Sequence, residues 1–225
     1  MVSAIIVAAG RGTRMGPNID KLFLEVAGRP VIAHTWARFE AAEDVDEIVL
    51  VVRAGLESEF DEMREKFGFK KSYRFAEGGP ERQDSVWNGI QAIEAGSQIL
   101  AIHDGARPCV SAELISDCVK AARDFGAAVA AQRVTDTIKE SEDGIAISRT
   151  VDRLKLWSVQ TPQVFRVDVI RRAIATARER GLNLTDDTAA CELIGQPVRL
   201  VESKRPNPKV TVPADLPFIE ALLRA

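Results

Sequence analysis

Short, β-branched apolar runs separated by segments of helical period constrain this chain more than any other feature. Residues 2–8, 47–52, 99–102 and 127–134 each form such a run, and each stops at or near a turn signal. Runs of that length, apolar on both faces, read as parallel strands buried from above and below. Between them the spacing is helical. Pro30 opens one such segment, with Val31, Thr35 and Phe39 on one side, and proline is tolerated at a helix start. A charged segment reaches about Gly68, and a short strand is expected at 73–76. Residues 81–95 follow as a helix with Val86, Ile90 and Ile93 turned inward. Ser111 is placed as an N-cap for a helix running to about Phe125. Further on, helices are expected at 168–180 and 187–194, a strand at 198–201 and a last helix from Pro213. This alternation predicts an α/β fold: a mostly parallel sheet with helices on both faces. Ligands in such sheets sit beyond the carboxyl ends of the strands, which selects the turns after Val7, Ala76 and Ile102.

The rhythm breaks at about 135–165. Residues 135–139 and 145–149 flank Asp143-Gly144, the pattern of a β-hairpin, and an apolar stretch at 154–159 leads back to the body. A hairpin arm leaves strand edges that invite pairing, so a second subunit is expected to cover it.

At 225 residues, one domain including this arm accounts for the whole chain. No apolar run approaches the ~18 residues of a membrane span, and no secretory leader pattern is present. A cytoplasmic protein is expected. A net charge of −3 gives no global attraction to nucleic acid. The three cysteines are odd in number and lack metal-ligand spacing, so buried reduced thiols are expected. Local charge differs: Arg11, Arg14, Lys21 and Arg29 face only Asp20 and Glu25 in the first thirty residues.

That positive charge surrounds a glycine-rich turn, Ala8-Ala9-Gly10-Arg11-Gly12-Thr13-Arg14-Met15-Gly16, with Lys21 after it. Glycines let backbone N–H groups approach phosphate oxygens. A dinucleotide-binding turn fits less well. Arg14 and Lys21 supply charge suited to a triphosphate, Pro17 and Asn18 interrupt any helix, and the second strand ends at Arg53 without the acidic residue that holds a ribose. A second turn, Glu77 to Ser85, carries Gly78 and Gly79, whose N–H groups could approach a planar ligand. Arg82 and Ser85 share a helix face there, and the same segment also reads simply as a capped helix start. A third, His103-Asp104-Gly105-Ala106-Arg107-Pro108, follows a buried strand. Asp104 is placed for Mg²⁺, which favours one or two carboxylates plus substrate phosphates. Alternatively Asp104 and Arg107 pair to fix the loop, with His103 in a supporting hydrogen bond. Asp186-Asp187 suits a two-metal site or an acid–base pair or, preferably, a helix N-cap.

Taken together, these motifs resemble the 2-C-methyl-D-erythritol 4-phosphate cytidylyltransferase family. The likeness runs essentially end to end: Ala8-Ala-Gly-x-Gly-x-Arg-Met15, Lys21, Gly78-Gly-x-x-Arg-x-x-Ser-Val86, His103-Asp-x-Ala-Arg-Pro108, Asp136-Thr137, Thr161-Pro-Gln163 and Lys209-Val-Thr211. The resemblance implies a Rossmann-like nucleotidyltransferase fold, CTP and a sugar-alcohol phosphate as substrates, Mg²⁺, and a homodimer clasped by arms at about 135–163. It implies that Arg14 and Lys21 stabilise charge at the CTP α-phosphate. Ala8, Ala9, Gly10, Gly12, Gly79, Arg82, Ser85, Asp104, Gly105 and Thr161 would line the nucleotide site. Thr137, Arg153 and Lys209 would grip the methylerythritol phosphate, with Arg153 offered by the partner's arm. The chain departs from the family pattern at Asp20, Pro80 and Pro208. Proline at 80 removes an N–H donor. A ribitol 5-phosphate cytidylyltransferase shares most of these motifs. A nicotinamide-dependent oxidoreductase and a non-catalytic nucleotide-binding protein are the readings from other classes.

Overall fold

The computed structural model describes residues 1–10, 12 and 20–225. Strand β1 is Val2–Val7, followed by the two-residue strands β2 (Glu25–Val26) and β3 (Arg29–Pro30), which pair with each other. Helix α1 (Val31–Ala41) starts on Pro30. Then come β4 (Glu47–Val52), α2 (Glu57–Phe67), β5 (Ser72–Glu77) and α3 (Arg82–Ala92). Strand β6 (Ile99–Asp104), α4 (Ala112–Phe125) and β7 (Ala127–Arg133) continue the alternation. The arm holds β8 (Lys139–Glu140) and β9 (Arg149–Thr150), and β10 (Trp157–Arg166) returns to the sheet. Helices α5 (Val167–Glu179) and α6 (Asp187–Leu193), strand β11 (Arg199–Glu202) and α7 (Leu216–Arg224) complete the chain.

Seven strands form one sheet in the order β11-β7-β10-β6-β1-β4-β5. Every neighbouring pair is parallel except those of β10, which runs antiparallel to both β6 and β7. Alternation along β1 and β4 divides the core. Ala4, Ile6, Ile48 and Leu50 pack on one face with Trp36, Phe39 and Ile115. Ile5, Val49 and Val51 pack on the other with Val86, Ile90 and Ile170. Both faces are therefore buried, as the runs of β-branched residues require. Ser111 caps α4 through its side chain, accepting from the Leu114 N–H at 3.1 Å. Gly68 and Gly126 end α2 and α4 in the left-handed conformation that glycine adopts without steric cost. Among the described residues, no helix is long and apolar enough to cross a membrane.

The arm differs from its sequence expectation. A hairpin forms, but its ladder is only Lys139↔Thr150 and Glu140↔Arg149. Asp143 does not sit in a two-residue turn. Its carboxylate accepts from the Ile145 and Ala146 N–H groups at 2.8 and 2.9 Å, taking backbone donors that longer strands would have paired. Every residue from 133 to 159 is exposed or half-buried.

Candidate active site

The three turns selected from sequence meet around one cleft of ≈ 1550 Å³ at the carboxyl ends of β1, β4, β5 and β6. Each wall follows from a strand end. Beyond β1, Ala9 and Gly10 form one side. The Ala8 N–H is not available there, because it bonds the Val51 carbonyl at 2.8 Å and Ala8 is buried behind the wall. Beyond β6, Asp104 and Gly105 form the floor, and Gly105 donates to the Val7 carbonyl at 2.9 Å. A Cβ at Gly105 would lie 2.8 Å from Ile32 Cδ1, so only glycine lets this floor lie so close to α1.

The turn after β5 corrects an expectation. The Gly78 N–H bonds the Val52 carbonyl at 2.8 Å, and the Gly79 N–H bonds Ser85 Oγ at 3.0 Å. Neither donor is left for a planar ligand. The glycines act by shape instead. A Cβ on Gly78 would come within 2.2 Å of Ala9 Cβ, and one on Gly79 equally close to Asp84 Cβ. Gly78 lets the first and second turns approach each other, and Gly79 lets the second turn lie close against the start of α3. Ser85, buried on α3, also donates to the Glu81 carbonyl at 3.3 Å, so it braces the turn it follows.

Lys21 lies on the cleft wall with its stem buried, and its Nζ donates to the Val210 carbonyl at 2.9 Å. Gly12 has φ +62°, and a side chain there would press on the Lys21 stem at 3.2 Å. Arg14 lies outside the described residues. Arg53, at the end of β4, clasps both stems of the glycine-rich turn. It donates to the Gly10 carbonyl at 3.3 Å and pairs with Asp20. Asp20, one of the departures from the family pattern, thus anchors the chain just before Lys21. It also accepts from the Leu22 N–H at 3.1 Å.

The floor carries a charge network. Asp104 Oδ2 accepts from Lys209 Nζ at 2.7 Å, and Oδ1 accepts from Arg82 Nε at 3.4 Å. Arg107 Nε stands 3.7 Å from Oδ2. Burial works against a charge on Asp104, yet Lys209 and Arg82 outweigh it and hold the carboxyl well below the usual carboxylate range. The pairing of Asp104 with Arg107 is thus one part of a larger cluster. Arg82 also reaches Asp187 with both terminal nitrogens, at 2.9 and 2.8 Å. Burial opposes its charge, but Asp187 and Asp104 hold its guanidinium above its ordinary value. Asp187 is fully buried and opens α6, while Asp186 supplies the expected cap, accepting from the Ala189 N–H at 2.9 Å. Sequence reasoning missed the Asp187 contact, because its partner lies 105 residues away and no local pattern announces it.

Thr161 does not line the cleft. It is buried on β10, and its Oγ1 accepts from the Asp104 N–H at 3.1 Å, holding the aspartate's backbone in place. Asn207 extends this support: its Nδ2 donates to the Thr161 carbonyl at 2.8 Å, and its own carbonyl accepts from Arg107 at 2.7 Å. His103 is fully buried and shares a 3.2 Å hydrogen bond with the Arg107 carbonyl. It makes the supporting hydrogen bond expected of it, and burial pushes it down to about 4, so near neutrality it is uncharged. Thr137 and Arg153 stand exposed on the arm, where Arg153 donates to the Thr135 carbonyl at 2.5 Å. Neither lines the cleft. The cysteines are free, and burial pushes Cys109 up to about 11 and Cys191 to about 12.

The donor set does not fit a metal held by the protein alone. Both oxygens of Asp104 already face cations. Among the described residues no three His, Cys, Asp or Glu side chains converge on one point.

Comparison with known proteins matches this arrangement to a family. The family model for IspD, 2-C-methyl-D-erythritol 4-phosphate cytidylyltransferase, matches residues 2–225. A 2-C-methyl-D-erythritol 4-phosphate cytidylyltransferase of Geobacillus kaustophilus is 46% identical over 220 residues, 98% of this chain and 96% of that protein. The enzyme of the same name from Caldanaerobacter subterraneus is 43% identical over 225 residues, covering 99% of each. Among solved structures, the 4-diphosphocytidyl-2C-methyl-D-erythritol synthase of Anaerococcus prevotii superposes with a TM-score of 0.88 at 31% identity. That match covers 100% of this chain and 96% of the other. The Thermus thermophilus cytidylyltransferase gives 0.82 at 35% identity, with all of both chains covered. A buried lysine on the cleft wall and a lysine–aspartate floor at the strand ends thus stand in a chain that belongs to the 2-C-methyl-D-erythritol 4-phosphate cytidylyltransferase family.

Proposed function

We infer that this chain transfers CMP from CTP to 2-C-methyl-D-erythritol 4-phosphate, releasing pyrophosphate and forming 4-diphosphocytidyl-2-C-methyl-D-erythritol for non-mevalonate isoprenoid synthesis. The observation that carries this is the convergence of Lys21, the glycine turns and the Asp104–Lys209 pair on one cleft within a chain of this family. A phosphate monoester is already a nucleophile near neutral pH, so the reaction needs no general base. Among the described residues no histidine lines the cleft: His103 is buried behind it and uncharged near neutrality. Catalysis then rests on positioning and on charge stabilisation at the α-phosphorus, as in other phosphoryl transfers.

In this reading Arg14 and Lys21 meet the charge that develops on the α-phosphate. The nucleotide lies against Ala9, Gly10, Gly79 and Gly105, over the floor set by Asp104, Arg82 and Ser85. Lys209 turns from Asp104 to the acceptor phosphate. Thr137 and Arg153 complete the acceptor site, with Arg153 given by the arm of a second copy. The outward apolar side chains of the arm support a homodimer through residues 135–163, since Ile145 and Leu154 are 91% and 79% exposed in the single chain. A divalent cation, Mg²⁺ by preference, would come with the triphosphate and offset its charge, and Asp104 would help to hold it once Lys209 has turned away. The reaction is cytoplasmic in this reading.

Product analysis tests the reading. Protein incubated with each of the four nucleoside triphosphates and either methylerythritol phosphate or ribitol 5-phosphate should form product chiefly from CTP and methylerythritol phosphate. Preference for ribitol 5-phosphate would move the assignment to the related cytidylyltransferases. Binding of NAD(P) without CTP would remove it from the transferases.

A further inference from the structure

We propose that Asp187, which lies outside the cleft, is a positioning residue for the nucleotide end of the site and acts through Arg82 on Asp104. The proposal rests on the cytidylyltransferase reading above.

Asp187 is 1% exposed, and both its oxygens are taken by the two terminal nitrogens of Arg82. A fork-to-fork pair of this kind fixes the guanidinium plane as well as its place. With that plane fixed, Arg82 Nε is directed at Asp104 Oδ1, and Oδ2 faces Lys209, with Arg107 farther off at 3.7 Å. Asp187 therefore decides how the Asp104 carboxylate is shared between a nucleotide-side arginine and an acceptor-side lysine.

The backbone around Asp187 is tied to the same strand pair. Its N–H donates to Gln163 Oε1 at 2.9 Å, and Gln163 Nε2 donates to Asp186 Oδ2 at 2.9 Å. Gln163 on β10 stands opposite Ile102 on β6, two residues before Asp104. One antiparallel pairing thus sets both carboxylates. Pairing also makes the arginine tolerable, because a part-buried guanidinium facing a single carboxylate would be under-compensated.

Asp187→Asn keeps the shape and removes the charge. Arg82 then turns to Asp104 for compensation and draws it from Lys209. The nucleotide end should weaken while the acceptor end does not. For this variant the calorimetric Kd and the KM for CTP are expected to rise about tenfold, within the range of directly coupled pairs. The KM for methylerythritol phosphate should stay level or fall, and kcat should hold to within about threefold. A purely structural role would lower the melting temperature and the active fraction without splitting the two substrates, and that result would overturn the proposal.

Arg82→Gln and the double variant complete a cycle. If Asp187 acts only through Arg82, the double variant should bind CTP as Arg82→Gln does. A further multiplicative loss would contradict the proposal. Should Asp187→Asn fail to fold, the double variant still decides, because it removes the buried carboxylate and its part-buried partner together. Turnover by the wild type is the separate check on the transferase reading, while the clamp is read from CTP binding, which needs no turnover.

Discussion

The cleft and the arm are built by opposite means. On the cleft floor the central charges have partners within the chain: Asp104 has Lys209, Arg82 and Thr161, and Arg82 has Asp187. Even the backbone donors of Gly78 and Gly79 are spoken for. The arm turns Ile145, Ile147 and Leu154 outward and holds itself with a ladder of two residue pairs. Two-stranded pieces of that size are at best marginal alone in water. The floor is organised before substrate arrives, which suits a reaction that depends on fixed charges. The arm is unfinished in one chain, which suits a surface completed by another copy.

The contrast can be broken at several points, and the largest effect is expected inside the cleft. Lys21→Ala should lower kcat roughly 10²–10³-fold, by analogy with loss of one oxyanion donor, and Arg14→Ala should do the same. Near-normal turnover by either folded variant would mean that the charge at the glycine turn is incidental.

Stability against pH probes the wall behind the floor. The folded protein holds His103 down at about 4, against 6.5 ordinarily. Between those values the unfolded chain binds a proton that the folded chain refuses, so stability falls as pH falls through that window and is fully present above it. The loss approaches roughly 3 kcal/mol near pH 4. Urea titrations of wild type and His103→Gln should differ in slope there, with the variant flatter. Equal slopes would show that His103 is not held neutral.

Gly78→Ala should cost about 1–3 kcal/mol, because its Cβ meets Ala9 and the floor has little room to give. A loss of CTP affinity should accompany it. The smallest effect on folding is expected in the arm. Ile145→Ser with Leu154→Ser should change unfolding of the single chain by no more than about 0.5 kcal/mol, as exposed substitutions do. Sedimentation should nevertheless shift from dimer to monomer. A dimer that survives would place the interface elsewhere.

Much of the sheet was legible in the sequence, because burial on both faces leaves an unbroken apolar run. Residues 47–52 match β4 at both ends. Strand β10 was not legible beyond its first apolar residues. It carries Gln160, Thr161 and Gln163, polar residues that are buried because each finds a hydrogen bond with a distant segment. Its antiparallel direction has no local signal either. The cleft itself could be located from three turns, yet their roles were partly misread. A glycine pair looks the same in sequence whether it offers N–H groups to a ligand or lets two turns touch. The Asp187–Arg82 clamp escaped for the reason that hides most tertiary ion pairs: two ordinary helix-start residues become partners only once the sheet is assembled.

Complementation between two inactive variants tests most directly the idea of a finished cleft and an arm completed by a second copy. Lys21→Ala keeps its Arg153, and Arg153→Ala keeps its Lys21. At low methylerythritol phosphate, both should be weak alone. If arms are exchanged across a two-fold dimer, a random mixture should recover about a quarter of wild-type activity, since half the dimers are hybrids with one complete site each. No recovery, despite subunit exchange shown by mixed-tag capture, would contradict the account: each chain would then supply its own Arg153, or none.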